Sequence, residues 1–143
     1  LAGAYLTLAS GGLKRETSLL SSSEVVETRV YSSEVADQLK SMLAQVVTEG
    51  TGSKAAINSY EVAGKTGTVR KISEGSYQDT RHLAFFAGLT PVKNPKLVGI
   101  VMINDPKTKA YGGGAIAAPV FSRVMEGALR LLNIPPKSQH GAA

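Results

Sequence analysis

Five consecutive residues, Gly64-Lys65-Thr66-Gly67-Thr68, set one cation, two hydroxyls and two glycines in a row, and Val69-Arg70 follow. A run that is β-branched and interrupted by glycine is poor helix material, so it reads as a strand. Alternation along that strand sends Lys65, Gly67 and Val69 to one face and Thr66 and Thr68 to the other, unless twist or a bulge intervenes. A glycine inside a strand removes the side chain that keeps other groups away, so an outside group is expected to lie against Gly67. A substrate-binding edge has this requirement.

Gly-Lys-Thr also occurs in phosphate-binding loops, which need G-x-x-x-x-G-K-[ST] opening a helix. Here the first position of that pattern falls on Ser59, and Tyr60-Glu61-Val62 offers no flexible loop. The residues after Lys65 are strand formers, which sets nucleotide binding aside.

The segments around this strand define an α+β fold. Leu1, Tyr5, Leu8 and Ala9 have near-helical spacing, and Gly11-Gly12 supplies a C-terminal stop. Residues 13–31 contain two short strands, 25–31 the better of them, around a Ser21-Ser22-Ser23 turn. Ser32 or Ser33 caps a helix that ends near Gly50, with Val35, Leu39, Met42 and Val46 as its core stripe.

Strands are then predicted at residues 60–69, at 82–89 with Leu83, Phe85, Ala87 and Leu89 on one face, and at 97–103. The polar residues 72–80 connect the first two, and Pro91-Val92-Lys93-Asn94-Pro95 turns the chain into the third. The third is apolar on both faces apart from Gly99 and wants cover on both sides. A last helix starts between Ala115 and Ala118, because Pro119 is tolerated only near a helix start. Val120, Val124, Ala128 and Leu131 form its stripe, with Phe121, Met125 and Leu132 beside it, and Pro135-Pro136 stops it. The sum is an antiparallel three-strand meander flanked by helices, one domain portion over 1–143 with a frayed tail from 135 to 143.

The flanks make the central motif specific. Lys65-Thr66-Gly67 matches the K-T-G element of the active-site serine penicillin-recognising enzymes. Upstream, Gly50-Thr51-Gly52-Ser53-Lys54-Ala55 resembles the G-T-G-x-x-A turn that precedes this strand in the class B penicillin-binding proteins. Downstream, Ile103-Asn104-Asp105-Pro106, Tyr111-Gly112-Gly113 and Ala118-Pro119-Val120-Phe121 resemble, in order and spacing, the end of the division-specific D,D-transpeptidase of that class. The similarity runs over nearly the whole chain.

The resemblance implies the penicillin-binding/β-lactamase-like transpeptidase fold and a reaction on peptidoglycan stem peptides ending in D-Ala-D-Ala. A serine is acylated with loss of the last D-alanine, and the acyl group passes to an amine of a neighbouring strand. β-Lactams mimic the first step and stay attached. Carried over by the motif, Lys65 is a catalytic cation beside the serine of S-x-N. An exposed lysine amine is charged at neutral pH, so its role is electrostatic before it is basic. Thr66, Gly67 and Thr68 bind substrate, the two hydroxyls receiving its terminal carboxylate, and the Thr68 backbone N–H resembles an oxyanion donor. Exchanging Thr68 for alanine leaves that N–H in place and so separates its two roles. Tyr111 is either an aromatic wall of the site or a packing residue, with Gly112 where relatives often carry a second aromatic.

The resemblance implies no cofactor and no metal, and an intact protein anchored in the inner membrane with this domain in the periplasm, working with division proteins. Neither S-x-x-K nor S-x-N occurs in the 143 residues. This chain is therefore expected to be a fragment, inactive alone, whose partner is the N-terminal remainder of the domain carrying both motifs. A related serine D,D-carboxypeptidase or β-lactamase, or a non-catalytic interaction fragment that keeps the fold, are the alternatives.

Other features read blandly. His82 and His140 have no cysteine and no spaced acidic partner, Asn104-Asp105-Pro106 ends a strand, and Arg70 and Lys71 serve either surface solvation or attraction of anionic peptide. The net charge of +5 comes from lysines and arginines scattered along the chain, without the aromatic interleaving of a nucleic-acid platform. There are no cysteines, which excludes disulfides and thiolate metal sites. No apolar run approaches the roughly 20 residues of a membrane span, and there is no signal segment.

Overall fold

The computed structural model describes residues 1–19, 26–73, 76–108 and 111–137, with the backbone alone for 72–73 and 76–80. The α+β meander is present. Helix α1 (Ala2–Ala9) leads to a ribbon of β1 (Leu13–Arg15) and β2 (Glu27–Arg29), then α2 (Ser33–Thr48) and a 3-10 turn at Ser53–Ala55. Strands β3 (Ala63–Ser73), β4 (Ser76–Thr90) and β5 (Leu97–Asn104) form an antiparallel sheet in the order β3-β4-β5, and α3 (Gly113–Leu131) follows. The serine turn expected at 21–23 lies outside the described residues.

Local chemistry accounts for the helix ends. After α1, the Gly11 N–H bonds to the Leu8 carbonyl and the Gly12 N–H to the Thr7 carbonyl, with Gly11 at φ +65°. This is a Schellman stop, and it needs a residue free to turn left-handed. Ser32 caps α2, its hydroxyl accepting from the Val35 N–H at 3.3 Å. The same Schellman pattern closes α3, with Asn133 at φ 52° and the Ile134 N–H on the Leu129 carbonyl, so the helix stops before Pro135-Pro136.

Strands β3 and β4 are longer than the residue types suggest. Residues 72–80 were expected as a connection, yet Ile72 pairs with Tyr77 and Ser73 with Ser76, after a register shift between Arg70 and Ile72. Once a hairpin is in register, backbone pairing carries on regardless of side-chain polarity. At the other end β3 begins at Ala63, and Tyr60 to Val62 form its approach. The expected tail is also held further: the Tyr60 hydroxyl donates to the Ile134 carbonyl at 2.8 Å, the Lys137 N–H to the Ser59 carbonyl at 2.9 Å, and Lys137 Nζ meets Glu61 at 2.6 Å. Residues 138–143 lie outside the described ones.

Both faces of the sheet are covered, as the apolar character of β5 requires. On one face Phe86 of β4 and Val101 and Ile103 of β5 meet Ala117, Phe121, Met125 and Leu129 of α3. On the other, Ala87, Leu89, Val98 and Ile100 meet Tyr5 and Leu8 of α1 and Ala36 of α2. On α1 the spaced Tyr5 and Leu8 are buried, but the main stripes picked for α2 and α3 are not the buried ones. Val35, Leu39 and Met42 are 42%, 40% and 60% exposed, and the face turned inward is Ala36, Lys40, Leu43 and Val47. Lys40 is buried with its ammonium 2.8 Å from Asp37. On α3, Val120, Val124 and Leu131 are exposed while Phe121, Met125 and Leu129 are core.

Asp105 ends β5 with φ 52°, and its carboxylate lies 2.9 Å from Lys107 Nζ and 3.6 Å from Arg81 Nε. The hydrogen bond from Lys107, then the fields of Lys107, Arg81 and Lys71, hold this carboxyl below its ordinary pKa against the effect of desolvation. In acid the folded chain therefore binds fewer protons here than the unfolded chain. The stabilisation is complete above the pKa of the unfolded carboxyl and is lost as pH falls through the lower folded value. Asp105→Asn is expected to lower the urea midpoint at neutral pH, and the gap to wild type should close as pH is taken down to about 2. A gap that stays constant with pH would contradict it.

Candidate functional site

Three elements meet at the start of β3. The sheet alternation holds at the backbone, placing Ala63 and Lys65 toward α1 and α2, and Thr66 and Thr68 toward α3. The lysine nonetheless reaches round the strand edge. Its Nζ lies 3.1 Å from Thr66 Oγ1, 3.2 Å from the Thr66 carbonyl and 3.4 Å from Thr51 Oγ1. A four-carbon stem is long enough to bring a cation from one face to hydroxyls on the other. Lys65 itself is exposed.

Thr51, in the Gly50-Thr51-Gly52 turn, joins this cluster with its hydroxyl 2.9 Å from that of Thr66. Sequence reading treated these residues as a turn and missed the side chain. A threonine fifteen positions from Thr66 has no periodicity to mark it.

Thr68 meets the first turn of α3. The Gly113 N–H donates to Thr68 Oγ1 at 3.2 Å, which leaves the Thr68 hydroxyl proton available to another acceptor. The helix lies this close because a side chain at Gly113 would strike the Phe85 and Gly67 carbonyls, and one at Gly114 the Thr51 carbonyl. That approach also explains why α3 starts at Gly113 rather than at residues 115–118, leaving Pro119 inside the helix. Packing of the glycine run against β3 and β4 outweighs the proline's preference for a helix start.

Gly67 is occupied differently from the expectation. The slot left by its missing side chain holds the ring of Phe85, its cross-strand partner on β4, so an intramolecular group lies against this face of the strand. Tyr111 stands just before α3 and stacks on His82, ring centroids 4.1 Å apart and planes 19° from parallel. His82 is buried beneath it and Tyr111 remains 43% exposed, so the tyrosine packs and also presents a surface beside β3. Among the described residues no group of three or more His, Cys, Asp or Glu is placed to hold a metal ion.

The assembled site is a cation clamped by two threonine hydroxyls, with a third hydroxyl positioned by a helix N-terminus, along an edge strand of an antiparallel sheet. Such a surface suits an extended substrate with an anionic end. The chain belongs to the penicillin-binding protein transpeptidase family: residues 1–126 match the penicillin binding protein transpeptidase domain.

Its relatives specify that class further. It is 37% identical over 138 residues to the peptidoglycan D,D-transpeptidase FtsI of Escherichia coli K12, covering 95% of this chain and 24% of that protein. It is 35% identical over 143 residues to FtsI of Buchnera aphidicola, covering 95% of this chain and 25% of the relative. Among solved structures, the transpeptidase domain of penicillin-binding protein 3 from Burkholderia pseudomallei superposes with a TM-score of 0.84 at 34% identity, covering 96% of this chain and 43% of that one. The chain thus spans about a quarter of the length of the curated relatives it matches.

Proposed function

We propose that this chain is the C-terminal portion of the transpeptidase domain of a septal peptidoglycan D,D-transpeptidase, working through an acyl-serine intermediate and acylated by β-lactams. The observation that carries the reading is the convergence of Thr51 on Lys65 and Thr66 of β3, the strand that also bears Thr68. Lys65 supplies positive charge beside the attacking serine. The hydroxyls of Thr66 and Thr68 take the terminal carboxylate of a D-Ala-D-Ala peptide or a penicillin, each such bond worth about 1.5–3 kcal/mol. The Thr68 N–H completes the oxyanion hole, Gly67 lies between the two threonines with the Phe85 ring over it, and Tyr111 walls the site.

The serine comes from the N-terminal remainder of the domain, which carries S-x-x-K and S-x-N. The apolar residues left open here, Val35, Leu39 and Met42 on α2 and Val120, Val124 and Leu131 on α3, support the reading that further chain covers this part. No helix among the described residues is long and apolar enough to cross a membrane. In the intact protein this domain works in the periplasm with division partners.

Mass spectrometry after exposure to a labelled penicillin tests the reading. The full-length protein is expected to gain one penicilloyl adduct on a serine outside these 143 residues, and this chain alone none. An unlabelled full-length protein would leave a fold-retaining interaction module. A label on this chain would overturn the assignment of the nucleophile.

A further inference from the structure

Thr51 touches every part of the clamp. Its hydroxyl oxygen is 2.9 Å from Thr66 Oγ1 and 3.4 Å from Lys65 Nζ, and its carbonyl abuts Gly114 in the first turn of α3. The protons in this cluster can be counted. An ammonium carries three and accepts none, and a threonine hydroxyl carries one. Lys65 spends its three on the Thr66 carbonyl, Thr66 Oγ1 and Thr51 Oγ1.

Both hydroxyl oxygens therefore accept from the cation, and one O–H lies along the line between them. If Thr66 donates, its proton is used on Thr51, and an incoming carboxylate meets lone pairs. If Thr51 donates, the Thr66 proton is free to turn outward to that carboxylate. Two acceptors facing one another repel, so the bound state selects the second arrangement.

We propose that Thr51 is a positioning residue for the anionic end of the acyl donor: its hydroxyl donates to Thr66 Oγ1 and so directs the Thr66 proton toward a bound carboxylate. The inference rests on Thr66 being a carboxylate-binding hydroxyl, as proposed above.

The test is made in the full-length protein with a labelled penicillin, separating the apparent affinity from the limiting acylation rate. Thr51→Val keeps the branched shape and removes the hydroxyl, and Thr51→Ser keeps the hydroxyl. Valine is expected to weaken the apparent affinity about tenfold with a smaller change in the limiting rate, and serine to recover it to within about twofold. In a Thr66→Val background the valine at 51 should add nothing further, because its effect runs through Thr66.

Wild-type behaviour of Thr51→Val, equal losses in the valine and serine variants, or additive losses with Thr66→Val would each overturn the proposal. Thr51→Ala replaces the valine variant if thermal unfolding shows the latter misfolded. A wild-type protein that takes no label removes the underlying transpeptidase reading, and this inference with it.

Discussion

Lys65→Ala in the full-length protein is expected to slow acylation by a labelled penicillin by about 10²–10³-fold, the size of effect seen when one preorganised electrostatic group is removed from an acyl-transfer site. The side chain is exposed, so little packing goes with it. What is lost is the positive charge that Thr51 and Thr66 hold in place through three oxygens. The thermal midpoint should stay within the small range of a surface substitution. Lys65→Arg should recover only part of the rate, because a planar guanidinium cannot occupy the same three-acceptor position as a compact ammonium. Unchanged acylation of Lys65→Ala would remove this lysine from the mechanism, whereas a large fall in midpoint would make its role structural.

The largest expected loss of stability is at Phe86. Its side chain is fully buried, its ring lies 4.8 Å from that of Phe121 at 60°, and it pairs across the sheet with Thr66 on one side and Val101 on the other. Phe86→Ala removes the aromatic contact and leaves a cavity between the sheet and α3, at a cost of about 3–5 kcal/mol. Against total stabilities of about 5–15 kcal/mol, that is a large fraction. A lower urea midpoint with an unchanged slope is the expected signature. Met102→Ala on β5, where the side chain is 62% exposed, should change the stability by no more than about 0.5 kcal/mol and serves as the comparison. The ring of Phe86 also fills the space over Gly64, so the same variant should loosen the clamp at Lys65.

The central strand, the meander and every helix end but the start of α3 were legible because each is written in local chemistry. Gly11-Gly12 stops a helix, Ser32 caps one, and a glycine-broken β-branched run makes a strand. Tyr5 and Leu8 of α1 are buried as their spacing suggested, but the buried faces of α2 and α3 were not picked as the main stripes. On α2 the sets Val35, Leu39, Met42, Val46 and Ala36, Lys40, Leu43, Val47 share the same spacing, and apolar character favours the first. The sheet takes the second, because Ala36 lets the helix sit close and Lys40 is buried beside Asp37. A hydropathy pattern records which residues suit an interior but not which neighbour supplies it.

The site divides in the same way. Lys65, Thr66 and Thr68 come from one contiguous motif on β3, and the lysine crosses the strand edge to reach the Thr66 hydroxyl. Thr51 and the Phe85 ring over Gly67 arrive through tertiary contact with no pattern of their own. Tyr111 was open between two roles, and its partner His82, which looked like the unremarkable first residue of a strand, turns out to be the surface on which it stacks.

The bonds from Ile134 and Lys137 back to Ser59, Tyr60 and Glu61 carry a timing consequence. They join residues 74 to 78 positions apart, across the stretch that contains the whole meander. A ribosome delivers the lysine motif long before it delivers the residues that fasten its approach. Until those emerge, the entry to β3 is held without them, by the Ile57–Tyr60 bridge and the Thr90 hydroxyl on the Glu61 carbonyl, and fastening it fully means closing a loop of more than seventy residues. A nascent chain halted within α3 would thus display the motif strand without the clasp that finishes it.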